Sequence, residues 1–134
     1  MNVIVCVDNE LGTMFNHRRQ SRDVKVCEDM LKLSGGNLII APYSEKLFAE
    51  LGGYTVSEDP LRAAGEGEYV LIEDRGLLEY VDKIEKLILY HWNRDYPSDK
   101  KLDTPPTQHS FRLVDSYEFE GKSHEKITRE IYER

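Results

Sequence analysis

His17, Arg18, Arg19, Arg22 and Lys25 place five potential cations within nine residues. The chain as a whole has 18 Lys plus Arg against 25 Asp plus Glu, a net charge of −7, so this run reverses the local sign. Beside a helix start it suits a phosphate or a substrate carboxylate, because guanidinium forks pair with such anions and a helix amino end adds partial positive charge. The alternative is a solvated loop offsetting nearby Glu28 and Asp29. Asp23 stands inside the run. In that place it serves either as an acid or ligand anchor or as a plain partner of the helix dipole.

The remaining reactive side chains are sparser. Tyr90, His91 and Trp92 follow one another in an apolar run, so on a strand Tyr90 and Trp92 share a face and His91 takes the other. Tyr90 and Trp92 are then candidates for a ligand cleft. Glu73-Asp74 offers two carboxylates with no further carboxylate in view, which reads as a solvated turn. Ser123-His124-Glu125 reads as a hairpin turn. Cys6 and Cys27 read as small buried hydrophobes, and two cysteines make no disulfide framework. None of His17, His91, His109 and His124 has another His within five positions, so no metal ligand set is assigned.

The elements that must position these groups alternate along the chain. A chain of 134 residues with 40% apolar and 32% charged residues suits a single domain, 1–134, with its own core. Its acidic balance argues against a broad grip on nucleic acid or anionic lipid. The apolar run Val3 to Val7 is far too short for a membrane span, and cytoplasmic residence is the expectation. That run is a buried strand, closed by Asp8-Asn9. Val24, Cys27, Met30 and Leu31 form one helical stripe, with Ser21 or Asp23 as cap and Gly35-Gly36 as stop, predicting a helix over about Arg22 to Leu33.

Strands are expected at Asn37 to Ala41, Tyr54 to Val56, Tyr69 to Ile72 and Ile84 to Trp92. Helices are expected from Ser44 through Leu51, after Ser57-Glu58-Asp59-Pro60, and over Leu77 to Val81. Residues 93–110 read as loop, and Phe111 onward as a terminal antiparallel hairpin. The order implies a three-layer α/β fold: a mostly parallel sheet with helices on both faces and a C-terminal antiparallel hairpin.

Val3-Ile4-Val5-Cys6-Val7-Asp8, the passage Tyr80-Val81-Asp82-Lys83-Ile84 into Lys86-Leu87-Ile88-Leu89-Tyr90-His91-Trp92, and the closing Phe111-Arg112-Leu113-Val114 and Ile131-Tyr132-Glu133-Arg134 resemble the dihydrofolate reductase family. The resemblance implies a mobile loop at Gly12 to Asn16, Asp23 as the active-site carboxylate, and Tyr90 as the hydroxyl supporting it. It implies a pterin-like ligand beside Trp92, its anionic tail met by Arg18, Arg19 or Arg22. Ser44 is the one hydroxyl left for a cofactor phosphate. NADPH is the cofactor the family implies, yet Glu73-Asp74 stands where the family has a Gly-Gly pair, and two carboxylates repel a diphosphate. The middle of the chain is also shorter than in the reductases, by roughly a strand and its loop.

Phe15 to Asp23, Trp92-Asn93-Arg94 and Ser123 to Thr128 resemble, separately, small bacterial proteins that carry a ribonuclease Z label, but no His-x-His-x-Asp-His run for two zinc ions is present. Three readings follow. The first is a divergent reductase-like protein that binds a pterin- or nucleotide-like molecule and has lost ordinary NADPH binding. The second is an active NADPH-dependent pterin or folate oxidoreductase, and the third a non-catalytic interaction or RNA-contacting module.

Overall fold

In the computed structural model, which describes all 134 residues, the chain runs β1 (Asn2–Val7), β2 (Gly12–Phe15), β3 (Arg18–Arg19), α1 (Val24–Leu33), β4 (Leu38–Ile40), α2 (Glu45–Phe48), β5 (Tyr54–Val56), α3 (Pro60–Ala63), β6 (Tyr69–Leu71), β7 (Lys86–His91), β8 (Lys100–Lys101), β9 (Arg112–Phe119) and β10 (Ile127–Glu133). Seven strands form one sheet in the order β5-β4-β6-β1-β7-β10-β9. The first five are parallel, whereas β10 is antiparallel to both β7 and β9. The α/β architecture with a closing antiparallel hairpin is therefore as expected.

β1 has paired neighbours on both edges and layers on both faces, which is why it is an unbroken apolar run. Alternation sends Val3, Val5 and Val7 into one core with Leu61, Leu77, Leu87 and Phe111, and Ile4 into the other with Val26, Met30, Phe48 and Ile88. Helix α1 covers the second face through Val26, Cys27 and Met30. Burying each such aliphatic side chain contributes about 1.5–3 kcal/mol. No helix is long and apolar enough to cross a membrane.

Several element boundaries differ from the sequence reading. Helix α1 begins at Val24 because Asp23, with extended backbone, accepts from the Lys25 N–H as N-cap. The helix expected after Ser44 stops at Phe48 and has no side-chain cap. Ser44 already has helical dihedrals at the end of the 3₁₀ turn Pro42–Ser44, so its hydroxyl points elsewhere. The segments read as mobile loop and as loop 93–110 contribute β2 and β8, and the basic run contributes β3, to a second, three-stranded sheet in the order β3-β2-β8. Its turn holds Asn16 and His17 at positive φ, the geometry of a tight hairpin. The two-residue strand β8 is made by Lys100 and Lys101, residues without strand propensity, and is held by backbone pairing to β2 together with the Lys100 ammonium donating to the Asp74 carbonyl.

Candidate functional site

The parallel strands all end on one side of the sheet, and the chain after each end carries the polar groups. This is where open α/β sheets place ligands. β1 leads through the small sheet to the start of α1, β4 to Tyr43 and Ser44, β6 to Glu73 and Asp74, and β7 to Trp92.

Glu73 is not a bare carboxylate. Arg19 donates to it from both Nε, at 2.8 Å to Oε2, and Nη2, at 3.0 Å to Oε1. The Ser44 hydroxyl donates to Oε1 at 2.7 Å. Tyr43 frames the fork from behind: its ring lies 4.5 Å from the guanidinium carbon, its carbonyl accepts from Nη2, and its hydroxyl accepts the Arg19 N–H. Ser44 thus serves Glu73. Arg19, one of the cations read from the sequence as a ligand contact, is already paired within the chain, while Arg18 and Arg22 are exposed. Beside this knot a cleft of 610 Å³ is lined by Met14, His17, Tyr43, Asp74, Asp99 and Lys100.

Asp23 stands elsewhere and is more deeply enclosed. Its side chain has no exposure and that of His124 only 2%, with Nδ1 2.8 Å from Oδ2. The carboxylate also accepts the N–H groups of Lys25, Lys122 and Ser123, at 2.9, 3.0 and 2.9 Å. Burial alone pushes its pKa up, but the Lys122 N–H, His124, and the Ser123 and Lys25 N–H groups outweigh it and hold it well below the ordinary 3.8. The loop before β10 fits this closely only because residue 121 is glycine: a Cβ there would lie 2.6 Å from Asp23 Oδ2. The other nitrogen of His124, Nε2, lies 2.9 Å from Ser21 Oγ and 3.3 Å from the Tyr96 hydroxyl. Its ring stacks on Trp92 at 4.7 Å between centroids.

Tyr90 does not reach Asp23. Its hydroxyl donates to Asp29 Oδ2 at 2.6 Å, and Arg129 donates to the same oxygen at 2.8 Å. Burial, with the Asp29 charge behind it, pushes the Tyr90 pKa far above its ordinary value. Cys27 is pushed up to about 12 by burial, with Glu73 adding, and Cys6 is also raised. Neither is a thiolate nucleophile near neutral pH. No group of three or more His, Cys, Asp or Glu is placed to hold a metal ion.

No family model matches this chain, and no curated protein matches its sequence. Among solved structures it is similar to dihydrofolate reductase from Enterococcus faecalis, complexed with NADP(H) and RAB-propyl. The TM-score is 0.63 over 99% of this chain and 95% of that one. The fold is dihydrofolate reductase-like. At 10% identity the likeness is one of fold, and the site residues stand on their own geometry.

Within the dihydrofolate reductase-like fold, the expected Asp23–Tyr90 pair is replaced by two separate networks, Asp23–His124 and Asp29–Tyr90–Arg129. Trp92 is 4% exposed and covers His124 rather than lining an open cleft. His124 is the buried polar partner of Asp23 that sequence reading missed. Two of its partners, Asp23 and Ser21, lie about a hundred residues away, and the only signal was a histidine in a turn otherwise made of small and charged residues.

Proposed function

We propose that this chain is a divergent dihydrofolate reductase-like protein that binds a pterin- or nucleotide-like small molecule in the 610 Å³ cleft and no longer binds NADPH in the ordinary way. The observation that carries the reading is the Arg19–Glu73–Ser44 knot. The guanidinium and hydroxyl that a cofactor phosphate would use are already taken by Glu73. A phosphate replacing that carboxylate leaves Glu73 unpaired beside it, and two unit charges about 4 Å apart repel by roughly 4 kcal/mol at an effective dielectric of 20. A flat polar heterocycle meets a better set of partners. Asp74 and Asp99 accept from ring amino groups, Tyr43 offers an aromatic edge, and His17 and Lys100 suit an anionic substituent.

The experiment is a pair of fluorescence titrations of the purified chain, one with dihydrofolate as the pterin probe and one with NADPH. Saturable quenching by dihydrofolate and none by NADPH is the expected result. Replacing Glu73 and Asp74 together by Gly should then admit NADPH. Tight saturable NADPH binding by the unaltered chain would sink the reading and favour the reductase alternative.

A further inference from the structure

Ser21, His124 and Asp23 lie in hydrogen-bonding order, Oγ to Nε2 at 2.9 Å and Nδ1 to Oδ2 at 2.8 Å. We infer that Ser21 is an activated nucleophile for carboxylic esters, with His124 as its base and Asp23 as the group that orients the base. This goes beyond the proposed ligand site and does not depend on it.

The geometry assigns each atom. Asp23 is an acceptor only, since a carboxylate enclosed by N–H donors stays ionised. Its Oδ2 therefore takes the Nδ1–H of His124, which fixes the tautomer and leaves a lone pair on Nε2. That lone pair faces Ser21 Oγ. Trp92 stacked on the ring and Gly121 packed against Asp23 stop the imidazole from turning away. Ser123 Oγ, 3.2 Å from Asp23 Oδ2 and from Nδ1, sits on the oriented side and does not compete for Nε2. The Tyr96 hydroxyl is 3.3 Å from Nε2, farther than Ser21, so the nearer hydroxyl takes the lone pair and the Tyr96 O–H is left to donate to a reacting carbonyl oxygen.

Ser21 is the least buried end of this set. It is only half-buried, unlike the two residues behind it. A 390 Å³ cleft, separate from the one described above, is lined by Phe15, Arg18, Gln20 and Tyr96 among others and borders Ser21 through these neighbours, without being lined by Ser21 itself. Gln20 precedes the nucleophile in sequence and Tyr96 touches its base. Phe15 offers an apolar contact and Arg18 a free guanidinium, so the fitting substrate is an ester of a small acid with an anionic group on one side.

In the reaction Ser21 Oγ adds to the ester carbonyl carbon while its proton passes to His124 Nε2, and the carbonyl π pair moves onto oxygen beside Tyr96. Collapse of the adduct breaks the carbon–oxygen bond to the alcohol, which leaves with the proton from Nε2. Water repeats the sequence on the acyl-Ser21 ester: it gives a proton to Nε2 and adds to the carbonyl, and Ser21 Oγ leaves with that proton. The products are one carboxylic acid and one alcohol, with no change of oxidation state.

The test treats the full chain with diisopropyl fluorophosphate and, separately, with p-nitrophenyl acetate, and maps adducts by peptide mass spectrometry. A single adduct on Ser21 is expected. Release of p-nitrophenol should fall by about 100-fold or more in Ser21→Ala, with the thermal midpoint of that variant unchanged to within a few degrees. Tyr96→Phe, which keeps the ring, should slow acylation while still labelling at Ser21. Two outcomes overturn the inference: Ser21 labelled no faster than the exposed Ser116, or Ser21→Ala releasing p-nitrophenol at the rate of the unaltered chain. A lowered melting point in Ser21→Ala with no adduct in the parent would reduce the network to a structural one.

Discussion

Asp23 and Glu73 both lie near the carboxyl ends of the parallel strands and each holds a nitrogen partner, yet their surroundings differ in kind. Asp23 and His124 are sealed from solvent, and backbone N–H groups from two separate segments converge on the carboxylate. Glu73 and Arg19 keep 11% and 20% of their side chains exposed at the rim of an open cleft, and hold each other through side-chain donors. Main-chain donors cannot be withdrawn without moving the fold, so the first pair is a fixed scaffold with one reactive end, Ser21. The second is a plug made of rotatable side chains at the rim of the cleft.

That contrast is open to test. Asp23→Ala should have the largest effect, because it strands His124 Nδ1 and the N–H groups of Lys122 and Ser123 in the interior. A loss of about 3–5 kcal/mol is expected in urea denaturation. The same carboxylate sets an acid limit. Its pKa is lower in the folded chain than the ordinary 3.8, so its contribution is complete above that value and declines as pH falls through and below it. Urea midpoints followed from pH 6 to pH 3 should show a downward slope in the parent that Asp23→Asn flattens. If both proteins fall in parallel, Asp23 is not the controlling group.

Glu73→Ala should cost less, about 1–3 kcal/mol, because the freed Arg19 stands near solvent and water can replace the carboxylate. It should also gain saturable binding of inorganic phosphate, measured by calorimetry, as Arg19 and Ser44 are released together. Equal destabilisation by the Asp23 and Glu73 changes would erase the distinction between scaffold and plug. Tyr90→Phe should have the smallest effect, about 0.5–1.5 kcal/mol, since Asp29 keeps its bond to Arg129 after the tyrosyl hydroxyl is lost.

The legible parts of the fold are those where each residue's environment follows from its immediate neighbours. Val3 to Val7 needs only to be apolar and extended to enter a sheet centre, and the Val24–Cys27–Met30 stripe needs only a helical period. The β2–β3–β8 sheet was illegible because Lys100-Lys101 and Gly12–Phe15 pair through main-chain groups that every residue type carries. Ser44 misled for a related reason: it reads as a hydroxyl open to a phosphate, yet a carboxylate from the neighbouring strand end accepts its proton.

Residue order alone was thus enough to specify an acidic α/β chain with a parallel sheet, a closing hairpin and a basic run at its first helix. Which groups meet was settled by folding: Arg19 with Glu73 across 54 residues, Asp23 with His124 across 101, and Tyr90 with Asp29 across 61. The physical reason is the range of the forces involved. Backbone conformation and hydrophobic period act over a few residues and leave a local trace. Hydrogen bonds between side chains act over about 3 Å of space, whatever the distance along the chain.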